Sequence, residues 1–194
     1  MKKIILIGAG GHASSCIDII EKNKNYKIVG LIGKKKEIGR LVNKYKVLGT
    51  DQDLISFHRN GIKNAFIAIG GLNNLKLRLK IYNLLKRNKF NLPNFISKNA
   101  IVSKSSNILE GSIIMHGAIV NANSTIGKIC ILNSRALVEH DCYISKNVHI
   151  STGSIVNGNS VIGSNSFLGS NSTIKNNSKI KENSFIKMGA IYKD

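Results

Sequence analysis

The residues best suited to chemistry lie in one stretch, Asn133-Ser134-Arg135-Ala136-Leu137-Val138-Glu139-His140-Asp141-Cys142, followed by His149. An imidazole takes up a proton near neutral pH, and a neighbouring carboxylate can orient the ring and support the imidazolium that forms. His140 beside Asp141 therefore reads as a general base with its orienting group. Gly158 follows His140 by 18 residues, and a backbone amide at its level could donate to a carbonyl oxygen as negative charge develops there. The competing reading is a polar turn histidine without chemistry, which applies with more force to His58 and His116. His140, Asp141 and His149 include metal-ligand types, but no independent ligand spacing supports a metal site. Cys16, Cys130 and Cys142 form neither a metal-ligand spacing nor a disulfide framework. None of them sits with a base, so an acyl-cysteine route is not expected.

A second cluster is Gly8, Gly10, Gly11 and His12, at the end of the buried strand KKIILI. A glycine turn running into a helix can hold a phosphate against free amides at the positive end of the helix dipole. It can equally be a tight packing turn between strand and helix. A nicotinamide dinucleotide site would need an acidic residue after the second strand. Gly33-Lys34-Lys35-Lys36 stands there, which argues against hydride transfer.

The elements that must position these residues fall into two grammars. From Ile96 to Tyr192 an aliphatic or aromatic residue recurs at every sixth position, usually with Ala, Ser or Cys two residues before it. Such hexads read as short strands joined by tight turns and wound into a parallel β-helix. Three hexads complete one coil of a triangular prism, so residues 18 apart stack, and residues 99–194 supply about five coils. Cys130 and Cys142 fall on small-residue positions, where they pack. Residues 1–95 instead alternate strand, glycine turn and helix: KKIILIGAGG, ASSCIDIIEKN, YKIVGLIG, KVLG, DQDLISFHRNG, NAFIAIGG, then a helix with Leu75, Leu79, Tyr82 and Leu85 on one face. This is a Rossmann-like α/β unit. Pro93 marks the junction, giving an expected division into 1–95, a substrate-binding domain, and 96–194, a β-helix domain.

The formal charge of +19 raises nucleic acid as a partner, yet most of the 29 basic residues are dispersed lysines. Base and phosphate reading favours arginine, so no nucleic acid is expected; a phosphate-rich small molecule gains more from the positive field. No apolar run reaches transmembrane length, and the MKK start leads straight into a strand without a cleavable signal pattern. The expectation is a cytoplasmic protein without membrane insertion.

A GAGGHA α/β front joined to hexads carrying ILNSRALVEHDC and then VHISTGSIVNG resembles the bacterial sugar O-acyltransferase family. That family includes sialic acid O-acetyltransferases and the UDP-4-amino-sugar N-acetyltransferases of bacillosamine synthesis. The resemblance covers essentially the full chain. It implies a left-handed β-helix, a homotrimer, and acetyl-CoA as co-substrate in the cleft between neighbouring β-helices, with no metal. It assigns the general base to His140, its carboxylate partner to Asp141, and a second active-site histidine, near substrate and coenzyme, to His149. Asn133 matches a substrate-binding asparagine, and Gly158 the glycine whose amide meets the acetyl carbonyl. Gly8, Gly10, Gly11 and His12 match the region holding the nucleotide or sugar, as Arg78 does at a looser correspondence.

Two departures stand out. Gly33 and Lys34 replace acidic residues that relatives use to hold the nucleoside, and the chain ends GAIYKD where relatives carry a Gly-x-Pro-Ala-Lys segment near the coenzyme. The implied mechanism is direct acyl transfer without a covalent enzyme intermediate. The favoured acceptor is the amine of a nucleotide-linked 4-amino-4,6-dideoxy sugar. O-acetylation of sialic acid or a related glycan precursor is the alternative, and a non-catalytic trimeric binding or scaffold protein is the reading from another class.

Overall fold

A computed structural model describes residues 1–193. The chain divides into two compact units, one made of Met1–Gly70 with Lys76–Pro93, the other of Gly71–Leu75 with the residues from Asn94 onward. The short excursion at 71–75 into the second unit has no counterpart in the sequence pattern.

The first unit is built on a five-stranded sheet. Its strands are β1 (Lys2–Ile7), β2 (Tyr26–Ile32), β3 (Leu41–Val42), β4 (Tyr45–Gly49) and β5 (Asn64–Ile67), in the order β3-β4-β2-β1-β5. β1 is parallel to both β2 and β5, and β2 to β4, while β3 and β4 form an antiparallel hairpin. Ile4 to Ile7 are buried on β1, as a central parallel strand covered on both faces requires. Helix α1 (Gly11–Glu21) buries Ala13, Cys16, Ile17 and Ile20, the i, i+3, i+4, i+7 stripe of an amphipathic helix. Helix α2 (Leu54–Arg59) is short, and α3 (Leu75–Arg87) buries Arg78, Ile81, Tyr82 and Leu85. Among the described residues no helix is long and apolar enough to cross a membrane.

The second unit is a left-handed β-helix of two-residue strands running from Phe95–Ile96 to Ile191–Tyr192. They stack into three parallel sheets with a shift of 18 residues, as in Ile119↔Leu137↔Ile155. The inward member of each strand is aliphatic, and Ile114, Val120, Ile126, Leu132, Val138, Ile144, Ile150 and Val156 are all fully buried. The small residue two positions earlier also hydrogen-bonds between coils. Ser112 Oγ donates to the Gly127 carbonyl at 2.7 Å and accepts the Cys130 N–H at 2.9 Å.

The corners explain the asparagines. From Gly111 to Gly189 every sixth residue has a positive φ, and most are Gly or Asn, the types that tolerate this region. Asp141, at φ 57°, occupies one such corner. The helical winding thus gives the carboxylate beside His140 a fixed backbone conformation.

Candidate active site

The corner at 140–141 brings three of the expected residues together. His140 Nδ1 lies 2.7 Å from Asp141 Oδ2. An ionised carboxylate only accepts, so Nδ1 carries a proton, and in the neutral imidazole Nε2 then presents a lone pair. The side chains are 58% and 49% exposed, which leaves the ring open to an incoming substrate. Hydrogen bonds from His140 and then from Asn123 hold the Asp141 carboxyl below the usual carboxylate range.

Gly158 packs against the reactive edge of the imidazole. A Cβ there would lie 2.8 Å from both Cε1 and Nε2 of His140, so only glycine leaves the ring its place. Asn159 N–H donates to the His140 carbonyl and Asn177 N–H to the Gly158 carbonyl, each at 3.0 Å, the same backbone pairing that neighbouring corners of the stack make whatever their side chain. The Gly158 N–H makes no hydrogen bond to any described residue. A buried donor beside a base can serve a developing oxyanion.

Asn133 and His149 lie elsewhere in the coil. The Asn133 turn and the His140 turn are successive corners, separated by the Leu137–Val138 strand. Asn133 N–H donates to the Ile150 carbonyl at 2.9 Å, which puts it next to the face that carries His149. His149 is buried, with its ring edge against Phe167 at 5.1 Å and 82°. Its Nδ1 accepts the Gly71 N–H at 3.1 Å, so the ring proton is on Nε2. A Cβ on Gly71 would come within 2.5 Å of that nitrogen, making Gly71 a required glycine that the sequence did not single out.

In the first unit the glycines separate by role. Gly8, at φ 120°, would drive a Cβ to 2.8 Å from the Ala68 carbonyl oxygen and Ile69 Cγ1, so it is a packing glycine. Gly10 and Gly11 face open space at the start of α1, and no side chain caps that helix. Room for an anion over free amides therefore lies at Gly10 and Gly11. Arg40 donates to the Ala9 carbonyl within the same turn, adding a cation that sequence reasoning missed. Glu37 was missed as well. Its Oε2 accepts the Lys34 N–H at 2.8 Å and lies 3.0 Å from where a Gly33 Cβ would be, so a carboxylate does stand after β2, supplied from further along the chain. Arg78 is 1% exposed and donates to the carbonyls of Ile67 and Ile69. It therefore braces the end of β5 from behind.

Burial, with the Arg78 charge second, pulls His12 from its ordinary 6.5 down to about 4. A base whose folded pKa is depressed contributes stability that is complete above its unfolded pKa and is lost as pH falls toward the folded one. Over the window from pH 6.5 to about 4, His12 should cost the fold on the order of 3 kcal/mol. Urea midpoints across this window should fall less steeply in His12→Gln than in wild type. Equal slopes would remove His12 from the acid response.

Burial also pushes the Cys16 thiol up to about 12 and raises that of Cys142. Neither is poised as a nucleophile. Among the described residues no group of three or more His, Cys, Asp or Glu is arranged to hold a metal ion.

Residues 3–85 match the family model described as the PglD N-terminal domain. No protein of curated function matches the chain. Among solved structures, perosamine N-acetyltransferase from Caulobacter crescentus is 28% identical, with 98% of this chain and 88% of that one covered at a TM-score of 0.92. That structure is of a variant with a histidine replaced by asparagine, in complex with CoA and GDP-perosamine. The acetyltransferase domain of PglB from Neisseria gonorrhoeae, in complex with acetyl coenzyme A, is 29% identical over 100% of this chain and 93% of that one, with a TM-score of 0.89. Over nearly its whole length, then, the chain has the fold of these two acetyltransferases, with a front end that matches the PglD N-terminal domain.

Proposed function

We propose that the chain is an acetyl-CoA-dependent N-acetyltransferase acting on the amine of a nucleotide-linked 4-amino-4,6-dideoxy sugar, with His140 as general base. It is a hexapeptide-repeat sugar acetyltransferase, and acetyl-CoA is its co-substrate. The observation that carries the reading is the His140–Asp141 pair at 2.7 Å with the Gly158 amide beside it, in a chain whose fold is that of enzymes bound to CoA and GDP-perosamine.

In the proposed reaction the sugar amine attacks the thioester carbonyl carbon. The C–N bond forms as the amine proton passes to His140 Nε2, and the oxyanion accepts from the Gly158 N–H. Collapse breaks the C–S bond and releases the coenzyme as its thiol once a proton has returned to sulfur. Asp141 holds the imidazole in the tautomer that starts the cycle. The open amides at Gly10 and Gly11, with Arg40, are suited to the phosphates of the nucleotide, Gly8 and Arg78 shape that turn from behind, and His12 stays neutral beside it.

The proposed assembly is a homotrimer with sites between subunits. Two observations support it. Ile101, Ile119, Leu137 and Ile155 form an outward apolar row on one face of the prism, which a second copy would cover. The same face separates His140 from Asn133 and His149 within one chain, so a neighbouring copy is the natural source of the second set. The proposed location is the cytoplasm.

CoA-thiol release from acetyl-CoA should be measured against UDP- and GDP-linked 4-amino-4,6-dideoxy sugars and against free and CMP-linked sialic acid. Turnover with an amino sugar is expected. Turnover with sialic acid alone would move the assignment to O-acetylation, and binding without turnover would favour the scaffold reading.

A further inference from the structure

The coil that precedes the proposed base carries a matched segment. Asn121-Ala122-Asn123 lies one coil before Glu139-His140-Asp141, in register through Asn121 N–H to the Val138 carbonyl and Asp141 N–H to the Ala122 carbonyl, both at 2.9 Å. Asn121 Nδ2 donates to Glu139 Oε2 at 2.8 Å, and Asn123 Nδ2 to Asp141 Oδ1 at 3.1 Å. Both carboxylates that flank His140 are thus held by an asparagine 18 residues earlier, with Ala122 at the level of the histidine.

We propose that Asn123 is a positioning residue for acyl transfer, acting through Asp141 on His140. This rests on His140 being the general base. Asp141 has two carboxylate oxygens: Oδ2 takes the imidazole and Oδ1 takes the Asn123 amide. A carboxylate fixed at one oxygen cannot swing its other oxygen away from Nδ1, so the amide limits the rotation that would free the ring. Asn123 is itself fixed, at φ 60°, with its N–H donating to Ser105 Oγ at 3.1 Å. Its hydrogen bond also contributes to holding the Asp141 carboxyl in the ionised state. The same corner repeats the motif without any base, where Asn159 Nδ2 donates to Asn177 Oδ1 at 2.8 Å. That rung is a built-in control.

Asparagine at positive φ is best replaced by glycine, which removes the amide without straining the backbone. The kinetic test compares wild type, Asn123→Gly, Asp141→Asn, the double variant and the control Asn177→Gly across pH. Asn123→Gly should lower kcat about tenfold, the scale of one hydrogen bond to a charged group, with KM for both substrates unchanged. It should add nothing in the Asp141→Asn background, and Asn177→Gly should keep wild-type kcat. Imidazole ¹⁵N shifts should show His140 leaving its Nδ1–H tautomer in Asn123→Gly, as in the variants that lack the Asp141 carboxylate, but not in Asn177→Gly. Wild-type kcat in Asn123→Gly, multiplicative losses in the double variant, or an equal loss in Asn177→Gly would overturn the proposal. Should wild type turn over no acceptor, the functional reading itself falls, and the tautomer measurement still decides whether Asn123 sets the ring.

Discussion

Replacing His140 by alanine is expected to lower kcat about 10³-fold, within the range a positioned general base supplies. The loss should fall on kcat and leave KM for acetyl-CoA close to wild type, because the ring contacts the protein mainly through Asp141 and Gly158. The fold should be untouched, since a side chain more than half exposed at a corner buries little apolar surface. The pH dependence makes the result specific. A sugar amine is a competent nucleophile once it has lost its proton, and bulk solvent removes that proton increasingly well as pH rises. The defect of His140→Ala should therefore shrink toward alkaline pH, as read from kcat profiles of the two proteins. A defect of constant size across pH would mean that the histidine does something other than remove a proton.

Gly158→Ala should cost about 10²-fold in kcat while leaving the melting temperature nearly unchanged. The argument is steric. The backbone at Gly158 is not left-handed, so alanine is allowed there, and the three atoms nearest the new methyl all belong to the imidazole, with Cε1 and Nε2 at 2.8 Å. The ring must turn away, and doing so breaks the 2.7 Å bond to Asp141 or buries Nε2 against the methyl. In a His140→Ala background the same substitution should have little further effect, because nothing remains to displace. Gly163 provides the contrast: a Cβ there runs into the backbone at Lys181 and Glu182, so Gly163→Ala should destabilise the stack itself. Activity retained in Gly158→Ala would show that the imidazole works from a position other than the one seen.

What the sequence made legible follows from what is local or strictly periodic. The hexads could be read because each coil needs one inward aliphatic residue per face, and an unbroken period of six admits no other arrangement. His140 and Asp141 were legible because they are adjacent, and Gly158 because it lies one coil away. Asn123 obeys the same spacing but was hidden among the many asparagines that occupy equivalent corners. KVLG was legible as a strand and forms β4, whereas its hairpin partner β3 was not, because an isolated two-residue strand has no period to detect. Glu37 and Gly71 act through folded-back contacts that no spacing encodes. Arg78 read as a substrate residue from its place after a strand end, and the fold turns it inward onto the carbonyls of Ile67 and Ile69.

The constant 18-residue rise of the coil makes position along this half of the chain equivalent to an angle around an axis. Six residues are a third of a revolution. A lost or duplicated hexad ahead of His140 would leave every strand paired and every aliphatic residue pointing inward, yet would carry the imidazole to a different edge of the prism. Whole-coil changes keep the bearing and alter only the height. Lineages of such chains are thus free to lengthen or shorten in steps of three hexads, while single hexads are forbidden by chemistry even where folding would accept them.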